Sequence, residues 1–142
     1  MIVLDTNVLV YAVGAEHPLR APSRRLFDAI EGGRVQATTT VEVIQEFLHV
    51  RAQRRARGDA TRVADAFRRA LTPLLSPGEG ELQAALRLFE RHERLRAFDA
   101  LLAAVAISQD AEALVSADAA FAGIRGLRHV SPGSPAFERL LA

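Results

Sequence analysis

The chain opens on an apolar run, Ile2-Val3-Leu4, that ends in Asp5, Thr6 and Asn7 before a second apolar stretch, Val8-Leu9-Val10-Tyr11, begins. Three β-capable residues running into a polar cluster predict a buried strand that delivers an acid to a sheet edge. Thr6 or Asn7 can then cap a short helix to about Val13, closed by Gly14. Ala21-Pro22-Ser23 opens a second helix that Gly32-Gly33 stops, and Arg34 to Thr38 predicts a short second strand. Thr39 or Thr40 caps the next helix, on which Val41, Val43, Ile44, Phe47, Leu48 and Val50 share one broad arc. Glu46 falls on the margin of that arc and Glu42 lies about 40° further out. Glu46 is therefore expected to point into a crevice and Glu42 into solvent.

Asp59 can cap a further helix to about Ala70, and Leu71-Thr72-Pro73-Leu74-Leu75 predicts a short strand with the proline at its beginning or on a sheet edge. Ser76 to Glu79 starts an amphipathic helix whose Leu82, Ala85, Leu86 and Phe89 have the spacing of a core-facing stripe. The run Ala97 to Ile107 is apolar on nearly every face except for Asp99. A helix of that kind is buried all round, and its lone carboxylate needs relief from the helix N-terminus, from an Arg or from a metal ion. Ala113 to Ala117 is a second apolar strand that ends on an acid, Asp118, so it repeats the logic of the opening. Leu127 to Val130 predicts a last strand and Pro135 to Leu141 a terminal helix. Strands alternating with helices imply an α/β fold around a parallel sheet.

Composition narrows the chemistry. At 142 residues, 49% hydrophobic and 25% charged, the chain is expected to form one domain, residues 1–142. No apolar run reaches membrane-spanning length, and the opening residues lack the basic-then-apolar pattern of a secretory signal, so a cytoplasmic location is expected. There is no Cys, and the four His residues show no paired ligand spacing, which leaves oxygen as the ligand for any metal. All 18 basic residues are Arg. Without Lys there is no Walker-type phosphate loop and no Schiff-base chemistry. The net charge of +1 is not that of a polycation, but seven Arg against two Asp lie between Arg51 and Arg69. That segment suits phosphate or carboxylate partners and equally suits a solvated helix face.

Two strand ends and two helices thus offer Asp5, Glu46, Asp99 and Asp118. Taken singly, Asp118 reads equally well as a helix cap and Asp99 as a residue settled by the helix N-terminus. Gathered in one crevice, four carboxylates would repel one another and take up protons unless a cation sat among them. Carboxylates without thiolate or paired imidazole favour Mg²⁺ or Mn²⁺ over zinc. Such an ion activates water and neutralises charge on a phosphate, so the residues point to metal-dependent phosphoryl chemistry.

The ordered segments Ile2-Val3-Leu4-Asp5-Thr6-Asn7-Val8-Leu9-Val10-Tyr11, Val43-Ile44-Gln45-Glu46-Phe47, Ala97-Phe98-Asp99-Ala100-Leu101-Leu102-Ala103-Ala104 and Leu114-Val115-Ser116-Ala117-Asp118-Ala119-Ala120-Phe121 resemble the acidic motifs of PIN-domain ribonucleases. In size and motif order the chain is most similar to VapC-type toxins of bacterial toxin-antitoxin pairs. The resemblance implies a three-layer α/β/α sandwich with a central, mainly parallel sheet and an endoribonuclease that uses Mg²⁺ or Mn²⁺. It implies that Asp5, Glu46, Asp99 and Asp118 are the catalytic, metal-holding acids, with Asn7 and Ser116 in supporting positions. It further implies a homodimer and a cognate VapB-type antitoxin laid across the active groove. Ser116 and Ala120 do not supply the further acid that some PIN domains carry near the last motif. The Arg51 to Arg69 segment could meet RNA phosphates or antitoxin acids, and Arg24, Arg25 and Arg96 could contribute equally.

Two rival functions compete with this one. An aspartyl-phosphate enzyme also keeps an acid after its first strand, but such enzymes need a Lys in the site, and Asn7 stands where phosphatases of that kind have a second Asp. A catalytically silent PIN-like module that binds RNA or protein is the alternative of a different class.

Overall fold

The computed structural model describes all 142 residues. Four short strands, β1 (Ile2–Leu4), β2 (Ala37–Thr38), β3 (Ala113–Val115) and β4 (His129–Val130), form a sheet in the order β2-β1-β3-β4. Every pairing is parallel. Seven α-helices flank the sheet: α1 (Thr6–Val13), α2 (Arg20–Glu31), α3 (Val41–Ala52), α4 (Arg57–Leu71), α5 (Glu79–Arg91), α6 (Ala97–Ser108) and α7 (Pro135–Leu141). This is the α/β/α sandwich expected, with a sheet that is parallel throughout. β1 and β3 are buried on both faces, as their continuous apolar sequence requires.

The strand register brings two polar residues together at one sheet edge. Leu4 pairs with Val115, so Asp5 and Ser116 are the first residues beyond the carboxyl ends of two adjacent strands. The Asp5 amide donates to the Val115 carbonyl at 3.0 Å, which extends the ladder by one bond before the chain turns into α1. On the other side of β1, the Thr39 hydroxyl donates to the Leu4 carbonyl at 2.7 Å and Thr40 caps α3 through the Val43 amide. The start of α3 is thereby tied to the same sheet edge. Farther out, Phe47 of α3 meets Phe67 of α4 edge to face, and Phe67 in turn meets Phe27 of α2, both at 5.0 Å between ring centroids.

Several expected elements differ. The side chain of Asp5, not Thr6 or Asn7, caps α1, accepting from the Thr6 amide. Gly14 caps the C-terminus of α1, its amide donating to the Tyr11 carbonyl, at a place where a Cβ would lie 2.8 Å from the Val10 carbonyl oxygen. No strand forms over Leu71 to Leu75: Leu71 is the buried last residue of α4, and only Leu75 pairs, as an isolated bridge with Thr40. β2 and β4 are shorter than expected, at two residues each.

The largest departure is α5. Ala84, Ala85 and Leu88 face the core, whereas Leu82, Leu86 and Phe89, expected inside, are 50%, 61% and 50% exposed. The helix carries two neighbouring apolar arcs. The alanine-rich α6 accepts the arc with the smaller side chains, which lets the two helix backbones approach closely. Val41 and Leu48 of α3 also face outward, at the edges of an arc centred on buried Val43 and Phe47.

Candidate functional site

Asp5 is 5% exposed and makes full use of its two oxygens. Oδ1 accepts from the Thr6 amide at 2.7 Å. Oδ2 accepts from the Ser116 hydroxyl at 2.7 Å and from the Asn7 side-chain amide at 3.0 Å. Ser116 reaches Asp5 because the parallel register puts the two residues side by side. Asn7 closes the junction from above: its Nδ2 also donates to Ser116 Oγ, and its Oδ1 accepts from the Ala117 amide at 3.1 Å. The Asp118 amide donates to Ser116 Oγ as well. One fully buried hydroxyl thus joins both strand ends. Ser116→Ala is expected to cost about 1–3 kcal/mol, since it strips a buried acceptor from two donors and a donor from a carboxylate; a denaturant titration reads the loss.

Glu46 of α3 and Asp99 of α6 meet Asp5 at one cavity of about 490 Å³. Glu46 is half-buried and held through the Thr6 hydroxyl, which donates to its Oε2 at 2.8 Å. Glu42 is half-buried and lines the same cavity, so it does not point into open solvent as its helical angle implied. The face of α3 that leaves the core forms the cavity wall, which also brings Gln45 and His49 to it.

Asp99 sits in the first turn of α6 and is 3% exposed. Two of its three possible relief mechanisms are present: the helix N-terminus, and Arg96, whose Nε donates to Asp99 Oδ2 at 3.0 Å. Arg24 and Arg25 are engaged elsewhere, Arg24 with the Ala12 carbonyl and Arg25 with Glu138, so of the three only Arg96 joins the acids. In the Arg51 to Arg69 segment, Arg51 and Arg62 pair with Asp59, and Arg68 and Arg69 pair with Asp65. Arg51 also donates to the Val13 carbonyl, which makes it a brace between α1, α3 and α4.

Asp118 stands apart from the cavity lining. It is half-buried and caps the 3₁₀ turn Ala119–Phe121, its Oδ1 accepting from the Ala120 amide at 2.9 Å. Its field nevertheless reaches Asp99 and Arg96. With the side chains as they stand, no three of these acids converge closely enough to cage an ion.

The electrostatics show an excess of negative charge. Burial pushes the Asp5 carboxyl up to about 6; the Ser116 hydroxyl opposes the rise, and the Asp99 and Glu46 charges add to it. Burial likewise raises Asp99, against the pull of Arg96 and with the help of Asp118 and Glu46. The donors are all hard oxygens, two are raised by burial and by neighbouring acids, and the only cationic side chain paired with them is Arg96. This donor set fits a hard divalent cation.

Sequence reasoning missed Thr6 and His129 as parts of this constellation, and it named Arg96 only as a contributor toward RNA or antitoxin, not as the partner of Asp99. Arg96 stands three residues before Asp99, the one helical spacing that could have singled it out. His129 Nε2 lies 2.8 Å from the Ser116 carbonyl oxygen, a contact between neighbouring strands that local sequence does not announce.

An acid at each of two adjacent strand ends, a third and a fourth from flanking helices, and a parallel sheet between them define the class. The family model described as "PIN domain" matches residues 2–127, and the chain belongs to the PIN domain family. It is 53% identical to Ribonuclease VapC7 of Mycobacterium tuberculosis over 142 residues, which span 99% of this chain and 98% of that relative. It is 29% identical over 131 residues to Ribonuclease VapC13 of the same organism, covering 92% of this chain and all of the relative. Among solved structures, VapBC2 from Rickettsia felis bound to a DNA fragment from their promoter has the same fold, with a TM-score of 0.72 at 20% identity over 92% of this chain and 98% of that one. A toxin-antitoxin complex from Klebsiella pneumoniae matches with a TM-score of 0.68 at 21% identity over 93% and 98% of the two chains. No helix is long and apolar enough to cross a membrane.

Proposed function

We propose that this chain is an endoribonuclease that cuts RNA phosphodiester bonds with Mg²⁺ or Mn²⁺ and serves as the toxin of a toxin-antitoxin pair, restrained by a VapB-type antitoxin. The observation that carries the reading is the meeting of buried Asp5 and Asp99 with Glu46 at one cavity, where burial and neighbouring negative charge raise the first two. Asp5, Glu46 and Asp99 would hold the cation, with Asp118 close enough to add its field and, on turning from its cap, a ligand. When bound, a divalent ion supplies an activated water and neutralises charge on the phosphate. Ser116 and Asn7 keep the Asp5 carboxylate in place, Thr6 does the same for Glu46, and Arg96 balances Asp99 while no metal is bound. The names of the relatives and the toxin-antitoxin titles of the structural neighbours support the toxin role and the antitoxin partner. Expression of the protein with mapping of newly formed RNA 5′ ends tests this: discrete cuts that vanish in the Asp5→Asn variant are expected, and unchanged RNA in both would contradict it.

We also propose a homodimer formed through α5. Leu82, Leu86 and Phe89 make an apolar stripe on a helix whose other face is already packed, and burying it against a second copy removes that area from water. Leu86→Glu is expected to convert the dimer to a monomer in light scattering with little change in helicity, because Leu86 is 61% exposed and outside the core. A dimer that persists in this variant places the contact elsewhere.

A further inference from the structure

Phe98 is 78% exposed, more than any other large apolar side chain, and it immediately precedes the buried Asp99. Its ring forms part of the cavity that holds Asp5, Glu46 and Asp99, together with Val43, Leu101 and Leu102. The carboxylates suit the cation, but the apolar wall beside them is not what a cation needs and is left for another part of the substrate. A flat aromatic face meets that demand without taking the acids from the cation. We propose that this cavity is a nucleobase pocket, in which Phe98 stacks on an unpaired base of single-stranded RNA next to the scissile phosphate; the proposal rests on the assignment of the chain as a ribonuclease.

The volume, about 490 Å³, is within the usual range for pockets that take a small ligand, about 300–1,000 Å³. Glu42, Gln45 and His49 line its α3 side at helical spacing and offer acceptors and donors to a base edge. Arg96 stands two residues from Phe98 with its side chain 71% exposed, which keeps a guanidinium open to a backbone phosphate close along the chain to the ring. A cation next to an exposed aromatic is the combination that binds single strands, since every base has a face to stack while a paired base has none free.

The test uses a short single-stranded oligoribonucleotide carrying 2-aminopurine, the same strand with an abasic residue at that position, and the same strand in a duplex, each bound in chelator to the wild type, Phe98→Ala and Phe98→Trp. The wild type and Phe98→Trp are expected to quench 2-aminopurine and bind the single strand about tenfold more tightly than Phe98→Ala does. The abasic strand should bind all three alike, and the duplex weakly. Equal binding of the single strand by wild type and Phe98→Ala, or equal binding of duplex and single strand, would overturn the proposal. So would a Phe98→Ala protein that becomes monomeric in light scattering with its RNA affinity intact, since a second copy would then cover the ring. If the wild type cleaves RNA with Mg²⁺ and Phe98→Ala does so with the same KM, only the base pocket falls. If the wild type neither binds nor cleaves RNA, the ribonuclease assignment falls with it.

Discussion

Asp99→Asn is expected to lower Mg²⁺-dependent RNA cleavage by about a thousandfold or more while leaving the protein folded. The magnitude follows from the several kcal/mol that a correctly held divalent cation contributes to phosphoryl transfer, at about 1.36 kcal/mol per tenfold. The fold should survive because asparagine is isosteric, can still accept from Arg96 Nε, and removes a charge that burial and two neighbouring acids already disfavour. Cleavage of a labelled RNA at fixed Mg²⁺, with circular dichroism on the same sample, reads both parts. Activity within about tenfold of wild type would show that Asp99 is only a helix-start residue. A wild type that is itself inactive would favour the catalytically silent alternative.

Without metal, the protein is expected to lose stability as pH rises from about 4 to about 7. The Asp5 carboxyl is raised from 3.8 to about 6 in the folded state, so the folded form holds a proton that the unfolded chain has released. The favourable contribution is complete below the unfolded value and is lost as pH climbs through the folded one. A shift of about two units corresponds to about 3 kcal/mol for this buried group. Asp99, also raised by burial, adds in the same direction. Asp59, Asp65 and Glu138, lowered by their Arg partners, act with the opposite sign, but in the acid range as pH falls below the usual carboxylate values. Denaturant midpoints in chelator at pH 5 and pH 7.5 test the trend. The wild type should be less stable at pH 7.5, Asp5→Asn should flatten the difference, and saturating Mg²⁺ should restore the wild type. A wild type that gains stability over this window, or an Asp5→Asn protein whose midpoint changes with pH as much as that of wild type, would contradict the electrostatic account.

The range of each interaction decides how much of it local sequence discloses. Asp5 and Asp118 are legible because an apolar strand that ends on an acid needs only local reading, and parallel topology then sets both at one sheet edge. Asn7 and Ser116 fall beside the acids by resemblance, but their joint grip on Asp5 depends on the Leu4 to Val115 register, which no single strand encodes. Helical angle distinguishes Glu46 from Glu42, and the structure gives Glu46 the tie to Thr6 while bringing both acids to the cavity. The sequence of α5 misleads because both of its arcs are apolar; which one meets α6 is decided by side-chain size on the partner helix. Arg24, Arg25 and Arg96 are indistinguishable as isolated residues, and only tertiary placement gives Arg96 to the acids and the others to Ala12 and Glu138. Asp118 takes up the cap, on a 3₁₀ turn in place of a helix, and its side chain stands outside the cavity lining while its charge reaches Asp99.

The central claim is that these acids form one cation site. Diffraction from crystals soaked in Mn²⁺, recorded near the manganese edge, tests it most directly. An anomalous peak is expected at about 2.1 Å from carboxylate oxygens of Asp5 and Asp99, with Arg96 displaced from Asp99. A peak at saturating Mn²⁺ that lies away from both residues, or none at all, would contradict it.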